Sequence, residues 1–99
     1  MLFTIIKFFL FRSHRKEVRI PSELKGLFIG KQGRNLKLLT SDTGCEINII
    51  ENAIETDAGV MTTIELRGDE GACNDARNRI ESFVALQRFN IAYMFFYLY

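Results

Sequence analysis

Gly30-Lys31-Gln32-Gly33 is the place in this sequence where residue types and spacing converge on a chemistry. Two glycines three positions apart let the backbone turn sharply and approach a ligand closely. A helix that begins just after such a turn directs unpaired amides and the positive end of its dipole at one point, the arrangement that holds a phosphate. Lys31, Arg34 and Lys37 add charge around that point, and Lys25 can reach it from upstream. The chemistry on offer is anion binding, with the backbone as the main donor.

Other chemistries find no apparatus. Cys45 and Cys73 have neither a metal-ligand spacing nor a disulfide framework, and the single histidine, His14, has no companion ligands. Both thiols read as small, reduced packing residues. No Ser/His/Asp or Cys/His set can be assembled, and no GxxxxGK[ST] loop is present, so hydrolytic and nucleotide-hydrolysing catalysis are not expected. We read the chain as a binding module rather than an enzyme, with no cofactor and no metal.

Charge distribution supports a confined anion site. The formal net charge is only +1, yet residues 12–37 carry eight Lys/Arg against two acids, while residues 38–76 carry nine acids against Arg67 alone. A chain basic throughout would bind polyanions indiscriminately, whereas this split implies one anion-facing region with an acidic rear. Either cluster could also be a plain solvated face, and it takes a motif to decide between the two.

The elements that must position the loop follow from periodicity. Glu17–Ile20 alternates polar and apolar residues and is predicted as a strand ended by Pro21. Ser22 occupies a helix N-cap position, and Leu24, Leu27 and Phe28 recur at helical spacing, giving a short helix over about 22–29. A second helix starts after Gly33, with Leu36, Leu39 and Thr43 on its apolar side and Gly44 at its end. Residues 46–50 and 63–67 alternate again and predict an antiparallel pair, joined through the polar stretch 51–60 by a loop too long for a tight hairpin. A last helix opens at Gly68-Asp69-Glu70, with acids at its positive end and Ala72, Cys73, Ala76, Ile80, Phe83 and Val84 as its apolar stripe. The order is β-α-α-β-β-α, a single α+β domain in 99 residues.

These residues resemble the KH domain family. The resemblance runs through Val18-Arg19-Ile20-Pro21, Gly26-Leu27-Phe28-Ile29-Gly30-Lys31-Gln32-Gly33, Leu36, Leu39, Thr43-Gly44-Cys45, Ile47-Asn48-Ile49, Ile64-Glu65-Leu66-Arg67-Gly68, Ala76 and Ile80. A lone GxxG carries little information, but one preceded by a strand-proline and followed by TGxxIxI and a distal IxLxG is specific. The strand-first order is similar to the eukaryotic type I arrangement, and implies a three-stranded antiparallel sheet packed against three helices over residues 17–86.

The resemblance implies binding of single-stranded RNA, or single-stranded DNA as a close second, over about four nucleotides in a post-transcriptional role. Gly30, Lys31, Gln32, Gly33, Arg34 and Lys37, with Lys25, would hold the phosphates. Gly26, Ile29, Leu36, Ile47 and Ile49 would line an apolar groove for the bases, although the four larger residues could equally be core and Gly26 could permit close helix packing. Asn48 and Arg67 are added as polar contacts. Residues 12–88 contain only two of the twelve aromatics, Phe28 and Phe83, which argues against the ring-stacking platforms of other single-strand binders. Two features depart from the family pattern: Cys45 stands where Ala is usual, and the acidic stretch with Glu51, Glu55 and Asp57 flanks the groove, where it could repel phosphates. The competing reading is a KH-fold scaffold that contacts a protein partner or a second copy of itself and binds nucleic acid weakly or not at all.

The two ends differ from the middle, since residues 1–11 and 89–99 hold 19 of the 47 apolar side chains. Residues 1–11 are too short to span a bilayer, which needs about 20 apolar residues, and lack the layout of a cleavable signal. Followed by Arg12, Arg15, Lys16 and Arg19, they could make residues 1–16 a membrane-surface anchor. Cytoplasmic or nuclear residence is expected, with the mitochondrial outer-membrane surface, where some KH proteins are tethered, as the alternative. Residues 87–99 could extend the last helix, cover the back of the sheet, meet a partner or contact lipid. The same composition shifts would also arise from read-through in a gene model, which peptides detected from residues 89–99 would exclude.

Overall fold

A computed structural model describes the backbone of residues 14–98 and the side chains of residues 14–90. The apolar segment 1–11 lies outside the described residues, as do the side chains of 91–99. The elements in chain order are β1 (His14–Pro21), α1 (Lys25–Ile29), α2 (Arg34–Thr43), β2 (Glu46–Thr56), β3 (Gly59–Gly68) and α3 (Glu70–Leu98), with single 3₁₀ turns at Ser22–Leu24 and Lys31–Gly33. The expected order therefore holds. The sheet is antiparallel throughout, in the order β1-β3-β2.

Side-chain alternation explains the layering. On β1, Val18 and Ile20 are buried while Arg15, Glu17 and Arg19 are exposed; on β3, Ile64 and Leu66 are fully buried. These residues meet Cys73, Ala76 and Ile80 on one stripe of α3, with Phe28, Cys45 and Ile47, to form one core. Half-buried Phe83 adds to it, its ring tilted at 57° to that of Phe28 with centroids 5.9 Å apart. Pro21 is tolerated at the end of β1 because that strand lies at the sheet edge. α3 begins as its acids imply, Asp69 Oδ1 accepting the Ala72 amide at 2.7 Å as an N-cap.

Three sequence expectations are corrected. First, β2 does not stop at Ile50; it runs to Thr56, and only Asp57 and Ala58 form the turn into β3, so the connection is a tight hairpin. The register shifts between Ile50 and Ile54, and the outer half, Glu51–Glu55, is exposed, so no buried side leaves a pattern there. The Thr56 hydroxyl secures the turn, donating to the Gly59 carbonyl at 2.8 Å and accepting the Ala58 amide at 3.2 Å. Second, β1 starts three residues earlier than Glu17, at His14. Third, Ser22 does not cap a helix; its hydroxyl lies 2.8 Å from that of Thr62 on β3, and the segment opens with a 3₁₀ turn.

α3 continues to Leu98, so the apolar tail extends the last helix, one of the arrangements its composition allowed. Among the described residues no helix is long and apolar enough to cross a membrane.

Candidate nucleic-acid interface

The glycine loop is built from backbone conformations that ordinary side chains resist. Gly30 has φ 76° and ψ 172°, Gln32 has φ 57° and ψ 26°, and Gly33 has φ 74° and ψ 17°, so three of four residues have positive φ. Glycine adopts these freely, whereas Gln32 holds a left-handed conformation at a cost of about 1 kcal/mol or more. Within the turn the Gly33 amide donates to the Gly30 carbonyl at 3.1 Å and the Arg34 amide to that of Lys31. The Gly30 amide donates to the Gly26 carbonyl at 3.0 Å, so within the loop the amides that take no part in these bonds are those of Lys31 and Gln32.

Asn35 holds the loop in place and was not singled out by the sequence reading. Its Nδ2–H donates to the Leu27 carbonyl at 3.1 Å, tying the start of α2 to an end carbonyl of α1. Its side chain also backs onto Gly30, where an added Cβ would come within 2.8 Å of the Asn35 Cγ and Nδ2. The available signal was a poor helix former in the first turn of α2, directly behind the loop.

The expected groove residues divide by burial. Ile29, Leu36 and Ile49 are half-buried and pack on the core, leaving part of each exposed. Ile47 is only 8% exposed and belongs to the core beneath. Gly26 is exposed on α1 with nothing within 4 Å of the place its Cβ would take, so it does not serve close helix packing.

Charges also sort into free and engaged groups. Among the described residues Lys31, Arg34 and Lys37 are exposed and make no ion pair. Lys25 is not free for a phosphate as expected: its Nζ lies 3.0 Å from Glu51 Oε2, joining α1 to β2. That pairing engages the nearest acid of the stretch expected to repel phosphates. Glu55 and Asp57 stay exposed farther out, at the hairpin end.

Asn48 and Arg67 are not brought to the groove. Each alternates with a buried neighbour, Ile47 and Leu66, and so lies on the sheet face turned away from the helices. Asn48 Nδ2 donates to Glu46 Oε1 at 3.3 Å there, and Arg67 Nε sits 2.7 Å from Glu65 Oε1. Arg15 Nε meets the other oxygen of Glu65 at 2.6 Å. The hydrogen bond from Arg15, reinforced by Arg67, holds the Glu65 carboxyl below its ordinary value.

A three-stranded sheet with helices on one face, a cationic glycine turn between two short helices and a set of part-exposed apolar side chains together define a nucleic-acid-binding fold. The family model described as the KH domain matches residues 15–82, and the chain belongs to that family. Among solved structures it is similar to the solution structure of the first KH type I domain from human vigilin. That match has a TM-score of 0.58 and 23% sequence identity, over 78% of this chain and 79% of the other. No curated protein matches the chain.

Proposed function

We propose that the protein binds single-stranded RNA over about four nucleotides, with single-stranded DNA as the nearest alternative ligand. The observation that carries this reading is the coincidence, at Gly30–Gly33 and the start of α2, of two amides outside the turn's own bonds with three cations, Lys31, Arg34 and Lys37, that no carboxylate among the described residues engages. Phosphates would sit on the Lys31 and Gln32 amides, and bases would lie over Ile29, Leu36 and Ile49 beside Gly26. The role implied is post-transcriptional, in the cytoplasm or nucleus. Retention of the full chain in a membrane fraction, lost on deletion of residues 1–16, would instead support a tether at a membrane surface.

The test is fluorescence anisotropy of a randomised short RNA against the full chain and the double variant Lys31→Asp/Gln32→Asp. Both glycines are kept, and Asp tolerates the left-handed conformation at position 32 better than most residues, so the variant should fold. Binding that falls steeply with salt in the parent and disappears in the folded variant supports the proposal. Equal binding by both, or none by either, refutes it and favours the scaffold reading. One observation already leans that way: the Lys25–Glu51 pair joins α1 to β2, so bases entering between them would have to displace it.

A further inference from the structure

The outer side of α2 carries a feature that four nucleotides in the groove would meet only at its loop end, through Lys31, Arg34 and Lys37, and not at Leu38 or Ser41. Arg34, Lys37, Leu38 and Ser41 recur at i, i+3, i+4 and i+7 and so share one stripe of the helix, away from Leu36 and Leu39, which pack on the core. With Lys31 and Gln32 of the glycine loop they line a shallow, open cup of about 660 Å³. Its apolar base is Leu38, which is 52% exposed.

The electrostatics of the cup are one-sided. No acid occurs between Lys31 and Ser41, and the first one after it, Asp42, lies 3.6 Å from Arg79 on α3. Elsewhere Arg15, Lys25, Arg67 and Arg79 are each held by a carboxylate, while Arg19, Arg77 and Arg88 make no ion pair among the described residues and line no such concavity with one another. Three cations unpaired among the described residues, around one concavity, form a surface that a polyanion would complement.

We propose that this cup is a second nucleic-acid subsite, and that a single strand longer than four nucleotides passes from the glycine loop over the outer side of α2. Phosphates there meet Arg34 and Lys37, the Ser41 hydroxyl donates to a phosphate or sugar oxygen, and a base or sugar covers Leu38. Continuity favours a nucleic acid over an acidic protein: Lys31 and Gln32 belong both to the loop and to the cup, so a strand held by one is delivered to the other. The inference rests on the reading of the chain as a single-strand binder, and extends it from a four-nucleotide footprint to a longer one.

The experiment compares the full chain with the double variant Leu38→Glu/Ser41→Glu, which places two carboxylates in the cup at exposed helical positions and leaves the loop and groove intact. Randomised RNAs of four and ten nucleotides are titrated by anisotropy at several salt concentrations. A longer RNA offers more registers, but equally to both proteins, so the informative comparison is between proteins. The expected result is ten-nucleotide binding weakened about tenfold in the variant, with four-nucleotide binding weakened far less. The parent's salt slope for the longer RNA should be steeper, by about 0.7 for each further phosphate neutralised on a single strand. Ser41→Lys should strengthen only the longer RNA. Equal ten-nucleotide binding by parent and variant overturns the subsite while leaving the groove reading standing. Absence of any RNA binding by the parent overturns both, and binding of a poly-Glu peptide at the cup in preference to the ten-nucleotide RNA overturns the assignment to nucleic acid.

Discussion

Replacing Gly30 by alanine should cost far more stability than replacing Gly33, although the two glycines are equivalent in the motif. At Gly30, φ 76° with ψ 172° is a region open essentially to glycine alone, and forcing a side chain there costs roughly 1–3 kcal/mol. The new Cβ would also lie 2.8 Å from the Asn35 Cγ and Nδ2, so Asn35 must move and give up its bond to the Leu27 carbonyl, about 1 kcal/mol more. Gly33 is in the left-handed region, which alanine enters at roughly 1–2 kcal/mol, and the less flexible unfolded chain offsets both substitutions alike. Its Cβ would meet only the Lys37 Cε, at 3.9 Å. The difference is roughly 1.5 kcal/mol, which for a domain of this size separates the two melting temperatures by about 6–12 °C. Thermal unfolding followed by circular dichroism measures it, and a double-mutant cycle locates the cause. Asn35→Ala should be coupled to Gly30→Ala by about 1 kcal/mol and should add to Gly33→Ala within the roughly 0.5 kcal/mol expected of independent sites. Equal losses at the two glycines, or no coupling to Asn35, would refute the reasoning.

Three further outcomes are expected. Gly26→Leu projects into open space on α1 and gains helix propensity of up to about 1 kcal/mol, so melting should be unchanged or raised while RNA anisotropy shows at least about tenfold weaker binding; unaltered affinity would remove Gly26 from the groove. Asn48→Ala and Arg67→Ala, on the opposite sheet face, should leave RNA affinity within about twofold in the same assay, within ordinary surface-substitution effects. The Cys45 thiol is pushed up to about 12 by burial and by the neighbouring Cys73, so the folded chain keeps a proton that the unfolded chain releases near 9.0. Stability should therefore be full below that value and fall as pH rises from about 9 toward 12, a loss in urea midpoint that Cys45→Ala should largely abolish.

The fold was legible because nearly every element buries one side. Val18 with Ile20, Ile64 with Leu66, and the Cys73, Ala76 and Ile80 stripe are all buried where period and spacing put them. Where one-sided burial fails, the reading failed with it. Ile54, Glu55 and Thr56 pair with Met61, Val60 and Gly59 of β3 beyond a register shift, but most side chains of residues 51–56 face water, so Glu-Asn-Ala-Ile-Glu-Thr reads as a loop while forming a strand. Ser22 misled for a related reason. A hydroxyl in front of an apolar repeat looks like a cap, and only the tertiary position of Thr62 on β3 gives it another partner.

The candidate site divides along the same line, and the division says what a glycine motif can encode. Spacing identifies the turn, but the conformation of Gln32 has no local cause in its own residue type. Gln32 stays left-handed because its neighbours leave no alternative: the Gly33 amide closes on the Gly30 carbonyl, and Asn35 ties α2 to α1 behind the loop. Strain of this kind persists only where the surroundings over-determine it. Asn48 and Arg67 illustrate the converse. Period 2 separates Asn48 from Ile47 and Ile49, and Arg67 from Leu66, so residues adjacent in the motif cannot all serve one groove. Motif membership therefore identifies the segment, while strand parity and the contacts behind the loop decide which of its side chains can reach a ligand.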